Sequence, residues 1–172
     1  MNLLPSITRC GSIALLALLS AFASAQQTST PSTSSSVVIV LSTALYKTSD
    51  MQFGFIFPGA SGGTVVLSTS SSRTATGSVM LPSGGTHSAA GFVVLGTPNT
   101  TFSVSYPTSI TLNRAGGSAS MTISSIVGSP STGGTLSSGG SATVNVGGTL
   151  TVAANQMFGQ YSGSFNVTVS YP

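Results

Sequence analysis

Short runs of apolar and β-branched residues recur along the chain, separated by residues that form turns. No run shows the 3.6-residue apolar period of an amphipathic helix, whereas several alternate apolar and polar positions as strands do. The pattern therefore predicts an all-β fold of about ten short antiparallel strands, arranged as a sandwich or a barrel. The predicted strands are Val37–Leu41, Met51–Phe57, Thr64–Leu67, Thr74–Leu81, Ala90–Leu95, Thr101–Tyr106, Ser109–Leu112, Ala119–Val127, Ala142–Val146, Thr149–Val152 and Tyr161–Tyr171.

The alternation is clearest in the last run, where Phe165, Val167, Val169 and Tyr171 are separated by polar residues. Successive side chains of a strand point to opposite faces of its sheet. We therefore expect these four side chains to face the core.

Pairs of adjacent glycines occur at positions 62–63, 84–85, 116–117, 133–134, 139–140 and 147–148. Glycine adopts the positive φ angles that tight turns need, at no steric cost. We predict a turn or a loop tip at each pair.

The N-terminal segment has the three parts of a secretory signal peptide. Arg9 supplies a positive charge, residues 11–22 (GSIALLALLSAF) form a short apolar run, and residues 23–25 (ASA) form a cleavage site. We expect export through the periplasm to the cell surface or the medium, with the mature protein starting at Gln26. The apolar run is shorter than the roughly 20 residues of a membrane helix, so no anchor is expected after cleavage.

Three regions follow from this pattern: a signal peptide over residues 1–25, an N-terminal extension over residues 26–41, and a β-sandwich domain over residues 42–172. The extension starts as a Ser/Thr-rich tail and ends in five consecutive apolar residues. Those five residues are Val37, Val38, Ile39, Val40 and Leu41.

Charged residues make up only 3% of the chain, and this scarcity excludes most site chemistry. Beyond the signal peptide, three scattered cations stand against one carboxylate, Asp50, so no basic tract exists that would bind nucleic acid. One carboxylate and one imidazole, that of His87, are too few for glycoside hydrolysis, a catalytic triad or a metal site. We expect no enzyme, no cofactor and no metal; His87 is interpreted as an exposed loop residue and Asp50 as a turn residue within reach of Lys47.

Three stretches carry a resemblance to a known family: residues 47–54 (KTSDMQFG), residues 73–77 (RTATG) and the closing segment 153–171. Together they resemble the secreted bacterial family called domain of unknown function 4402 (DUF4402). The resemblance covers about Leu41 to Pro172, and the family's name leaves its function open.

The closing segment also resembles spore coat protein U domains and, more loosely, the pilins of chaperone–usher systems. Such pilins end in an alternating strand with a penultimate aromatic residue, here Tyr171, and carry a glycine fourteen places from the C-terminus, here Gly159. The chain departs from them in its terminal Pro172 and in having no disulfide. The resemblance implies a single immunoglobulin-like antiparallel β-sandwich that is incomplete and is completed by a strand donated from the next subunit.

On this resemblance, Val37–Leu41 is the candidate donor strand, and Gly159, Phe165, Val167, Val169 and Tyr171 belong to a pilin-like C-terminal strand. The expected partners are copies of the chain itself, a periplasmic chaperone and an outer-membrane usher. The alternative is that Val37–Leu41 forms the first strand of its own sandwich.

Two functions from different classes remain open at this point. The first is a structural subunit of an extracellular filament or coat, resembling a pilin of a fimbria, which polymerises by donor-strand exchange and serves adhesion or biofilm formation. The second is a self-contained secreted β-sandwich that binds carbohydrate or another surface. The chain has no Trp to form a sugar platform, although Tyr46, Tyr106 or Tyr161 are candidates for one.

Overall fold

The computed structural model describes residues 44–172, and within that range it contains strands and no helix. The all-β prediction is therefore confirmed. In chain order the strands are β1 (Ala44–Ser49), β2 (Gln52–Phe53), β3 (Gly63–Leu67), β4 (Arg73–Ala75), β5 (His87–Ser88), β6 (Ala90–Leu95), β7 (Thr101–Ser105), β8 (Ile110–Arg114), β9 (Ser120–Ser129), β10 (Gly133–Thr135), β11 (Ser141–Val152), β12 (Tyr161–Ser162) and β13 (Thr168–Ser170).

An eight-stranded antiparallel sheet in the order β1-β6-β11-β9-β8-β12 forms the larger layer. Its central strand, β11, pairs with β6 through residues 141–146 and with β3 through residues 148–152, and β4 continues beyond β3. On its other edge β11 pairs with β9 along residues 145–151. The sheet therefore has two halves, which share β11 and β9.

A three-stranded sheet, in the order β10-β7-β13, covers one half of the larger sheet. This half contains β1, β6 and residues 141–146 of β11. Buried side chains of β7 pack here against buried side chains of β6 and β11. Alternate residues of β7 point inward, as a strand with one buried face requires. This half has the two packed layers of a β-sandwich.

The second half of the sheet has no comparable second sheet in residues 44–172. Its inner face carries the buried side chains of β3, β8, β9 and β11, and the cover consists of the two-stranded β2-β5 ribbon and of loop residues such as Val79. One half of the larger sheet is thus covered by short segments only.

The turns predicted at Gly133-Gly134 and at Gly147-Gly148 are wrong, because the first pair lies in β10 and the second lies inside the 12-residue strand β11. A Cβ on Gly147 would overlap the carbonyl of Leu67, and one on Gly148 would come within 2.8 Å of Ile123 Cγ2. The pair therefore permits close approach of backbone and side chains where β11 passes from β6 to β3. The pairing register with β9 also shifts between Gly147 and Thr149, which is the mark of a β-bulge.

The predicted last strand, residues 161–171, is interrupted. Residues 161–162 pair with β8 as β12, residues 168–170 pair with β7 as β13, and residues 163–167 belong to no strand. The predicted strand over residues 74–81 is likewise short, with only residues 73–75 in β4. In both places the residue pattern of a strand continues beyond the pairing.

Candidate functional site

An open groove with a volume of about 1120 Å³ lies over the thinly covered half of the larger sheet. Its floor consists of buried apolar side chains from three strands of this half. These floor residues are Ile110 of β8, Met121 and Ile123 of β9, and Leu150 and Val152 of β11.

The first wall of the groove is residues 50–58. Phe53 packs into the core, whereas Phe55 and Phe57 are 62% and 53% exposed. The Arg73 guanidinium fixes this wall: Nη1 donates to the carbonyl oxygens of Phe53 and Phe55, and Nη2 donates to that of Pro82 at 3.1 Å. The wall therefore presents two phenyl groups to solvent on a backbone that an arginine holds in place.

The second wall is residues 156–165, and it presents Met157 and Phe158, which are 59% and 74% exposed. Arg114 Nε donates to the Phe158 carbonyl oxygen at 2.6 Å. Gly159 has a φ of 148°, and a Cβ at that position would lie 2.7 Å from Arg114 Nε. Glycine at position 159 therefore leaves room for the arginine contact.

Two further side chains brace the second wall. Gln156 Nε2 donates to the Ser120 carbonyl oxygen at 3.2 Å and to the Tyr161 hydroxyl at 2.8 Å, and Gln156 Oε1 accepts from Ala153 N. The Tyr161 hydroxyl donates in turn to the Met157 carbonyl oxygen at 2.7 Å. Polar contacts thus order the loop from which Met157 and Phe158 project.

Residues 163–167 run beside the groove between β12 and β13. Phe165 lines the groove and meets Phe92 edge to face, with ring centroids 6.4 Å apart. Within the described part of the chain, no backbone hydrogen bond joins residues 163–167 to another segment. Their peptide groups are therefore available to pair with an added strand.

The groove carries almost no charge. Lys47 and Asp50 are the charged residues in its lining, and they form an exposed ion pair at 2.6 Å, as the sequence suggested. Lys47 itself lies in β1 rather than in a turn. A groove of this kind favours an uncharged apolar ligand, because a lone charge placed in it would lose hydration without a partner.

The family described as Domain of unknown function (DUF4402) matches residues 43–171 of the chain. The chain belongs to this family. No curated protein and no solved structure matches it. The groove and its walls therefore lie entirely within the DUF4402 domain.

Two of the predicted assembly residues, Gly159 and Phe165, line the groove of the DUF4402 domain. The other three residues of the C-terminal segment, Val167, Val169 and Tyr171, pack against the core of the two-layered half. All four alternating apolar residues are half-buried, and the polar residues between them are exposed. The predicted inward face of this segment is therefore observed, although strand pairing is confined to residues 168–170.

The candidate donor residues, Val37, Val38, Ile39, Val40 and Leu41, lie outside the described residues. The signal peptide and the Ser/Thr-rich tail do so as well.

Sequence reasoning missed the four exposed apolar residues of the walls and the two arginines that hold the walls. Phe55 and Phe57 fall in a predicted strand with the right alternation, but nothing local indicates that both are exposed. Met157 and Phe158 follow a loop with no strand pattern at all. An arginine that binds backbone carbonyls far along the chain leaves no signal in the sequence.

The structure does not bring the three candidate tyrosines together. Tyr46 is exposed on β1. Tyr106 is half-buried against the core of the two-layered half, and Tyr161 against the core of the thinly covered half. The hydroxyl of Tyr106 donates to the Pro130 carbonyl oxygen at 2.8 Å.

His87 is exposed but lies in β5 opposite Phe53, which corrects the loop assignment. Residues 44–172 contain no group of three potential metal ligands. A search of the same residues found no helix that is both long and apolar enough to cross a membrane.

Proposed function

We propose that the chain is a structural subunit of an extracellular filament or coat, in which Val37–Leu41 of one copy binds the groove of another. The open apolar groove over the half-covered sheet is the observation that carries this proposal. An extended peptide that adds a strand gains main-chain hydrogen bonds from an unpaired edge and places alternate side chains in pockets. The groove offers an unpaired edge, because residues 163–167 lie along it with unpaired backbone. It also offers an apolar floor for the side chains.

The shape of the groove is compatible with a peptide. It is open and has a volume of about 1120 Å³, so an extended segment of several residues can lie in it.

Charge favours the same occupant. The chain carries no charged residue between Arg9 and Lys47, so the N-terminal extension has no charged side chain. A neutral, β-branched segment fits a groove whose two charges compensate each other.

Burial of one face of the donor segment contributes favourably to assembly. Only one alternating set of the donor can point inward, for instance Val37, Ile39 and Leu41. At roughly 1.5–3 kcal/mol for each buried side chain, these three contribute about 5–9 kcal/mol before the cost of ordering the chain.

Binding within the same chain is less favourable. Val37–Leu41 is joined to β1 through Ser42 and Thr43 alone, and two-residue reversals favour Asn-Gly or Asp-Gly. The groove lining, moreover, includes residues at the other end of β1, from Lys47 onward. We therefore place the donor segment in the groove of a second copy.

The wider setting of the proposal comes from the N-terminal signal pattern and from the resemblance to spore coat protein U and chaperone–usher pilins. They support the proposal that assembly takes place outside the cytoplasm, with a chaperone and an usher as partners and a role in adhesion or biofilm formation.

A charge inserted into the donor segment tests the proposal. The double variant Val38→Asp with Ile39→Asp places a carboxylate on each face of the segment, and we expect it to abolish filaments in electron micrographs and to leave monomers in light scattering. The matched control, Ser34→Asp with Ser35→Asp, adds the same charge to the polar tail and should assemble normally.

If both variants assemble like the unmodified protein, or if the unmodified protein is itself monomeric, strand donation is wrong. The self-contained binding module then becomes the better hypothesis, and a glycan array is the next experiment.

A further inference from the structure

Two walls of the groove expose large apolar side chains on backbone that is held by polar contacts. Phe55 and Phe57 project from the wall bound by Arg73, and Met157 and Phe158 from the wall bound by Arg114. In residues 44–172, half of the large apolar side chains that are strongly exposed lie in these two walls.

This arrangement is unfavourable for an isolated subunit, because each exposed side chain forgoes burial in the core. A contiguous exposed apolar surface of this kind marks an interaction site. The four side chains border the groove on both sides, so a ligand in the groove would contact them.

The cations of the domain are divided between two roles. Lys47 pairs with Asp50, the single side-chain carboxylate of the described residues. Arg73 and Arg114 instead donate to carbonyl oxygens of the two walls. Because these contacts order the walls before binding, less conformational entropy is lost when a ligand binds. The groove is in this sense preorganised.

We infer that Phe55, Phe57, Met157 and Phe158 form the surface that binds the donated strand of a second copy. Arg73 and Arg114 are positioning residues that preorganise this surface. The inference rests on the proposed function, since its ligand is Val37–Leu41 of another copy. It adds the residues that determine affinity and gives a role to two arginines in a chain with so few charges.

The test uses the full chain with the Val38→Asp and Ile39→Asp changes, so that its own segment does not compete. A fluorescent synthetic peptide of residues 26–41 serves as the probe, and its dissociation constant is measured by anisotropy.

Two exposed apolar residues provide a comparison for this surface. Met157 is 59% exposed and lines the groove, whereas Val127 of β9 is 51% exposed and does not. We expect Met157→Ala to weaken peptide binding about tenfold, the scale of an interface residue with a substantial contribution, and Val127→Ala to change it less than about twofold. Equal effects of the two substitutions would overturn the inference.

A double-mutant cycle tests the positioning role of Arg114. Arg114→Gln should weaken binding about five- to tenfold, and Arg114→Lys should also weaken it, because lysine keeps the charge but lacks the Nε–H donor. In a Phe158→Ala background Arg114→Gln should have a smaller effect, since the arginine binds the Phe158 backbone and one of the side chains it positions is then absent. Additive effects, or full affinity in Arg114→Lys, contradict the positioning role.

Failure of the inference and failure of the proposed function give different results. If the parent chain binds the peptide and the wall variants bind equally well, strand donation stands and this surface is not its receptor. If the parent chain does not bind the peptide at all, both the proposed function and the inference are wrong.

Discussion

At the scale of single residues, buried contacts decide roles that residue type alone does not indicate. Tyr106 is a candidate sugar platform in the sequence, yet in the structure its ring is half-buried and its hydroxyl donates to Pro130. Gly128 lies beside it, where a Cβ would overlap that hydroxyl. Burial disfavours the phenolate and raises the pKa of Tyr106 above its ordinary value of 10.0.

Tyr106 makes stability sensitive to alkali. Because its folded-state pKa is raised, the folded protein holds the phenolic proton more tightly than the unfolded chain does. The resulting stability is fully present below pH 10 and is lost as pH rises through the folded-state pKa. We expect Tyr106→Phe to be less stable near neutral pH, where the bond to Pro130 is lost, but to have a shallower decline above pH 10. Parallel denaturation curves at pH 8 and pH 11 check this, and equal slopes for both proteins would contradict it.

At the scale of elements, strand pairing differs from the sequence pattern in two places. One strand continues through a predicted turn, and one predicted strand is interrupted. The glycine pair at 147–148 suggests a turn, but β11 continues through it because both glycines permit close contact with β3 and β9. The alternation of residues 161–171 suggests one strand, but residues 163–167 have no partner. An unpaired stretch with strand periodicity is what a missing neighbour would leave.

Substitution of Gly147 tests its place in β11. We expect Gly147→Ala to destabilise the fold by about 1–3 kcal/mol, because the new Cβ would overlap the Leu67 carbonyl. Gly139→Ala is the control, since its Cβ would meet only Ser137 Oγ at 3.7 Å and its φ is not positive. Urea denaturation of both variants gives the comparison, and a silent Gly147→Ala would show that the backbone there relaxes freely.

At the scale of the whole molecule, the described domain has one half with two packed layers and one half with a thin cover. The proposed assembly requires that the N-terminal extension survive export, because that extension supplies the missing strand. The position of cleavage is therefore as important to the proposal as the groove.

We expect export to remove residues 1–25, so that the secreted protein begins at Gln26. Intact mass spectrometry of protein from the culture medium or the cell surface measures this directly. An N-terminus before Gly11 would count against a signal peptide, and one after Val38 would remove part of the donor segment and contradict strand donation.

The sequence by itself determined the fold class, the sparse charge and the inward face of residues 165–171. Each of these depends on local periodicity or on composition, which no tertiary contact is needed to reveal. It also indicated Gly159 and Phe165, through a resemblance in the closing segment.

Only the tertiary structure decided that one half of the sheet lacks a full second layer, and that Phe55, Phe57, Met157 and Phe158 border the resulting groove. Strand pairing and arginine-to-carbonyl contacts join residues far apart in the chain; Arg114 and Phe158, for example, are 44 positions apart. Local pattern sets which residues alternate, whereas the partner available to each strand edge sets which residues remain exposed. That partner is a property of the folded chain.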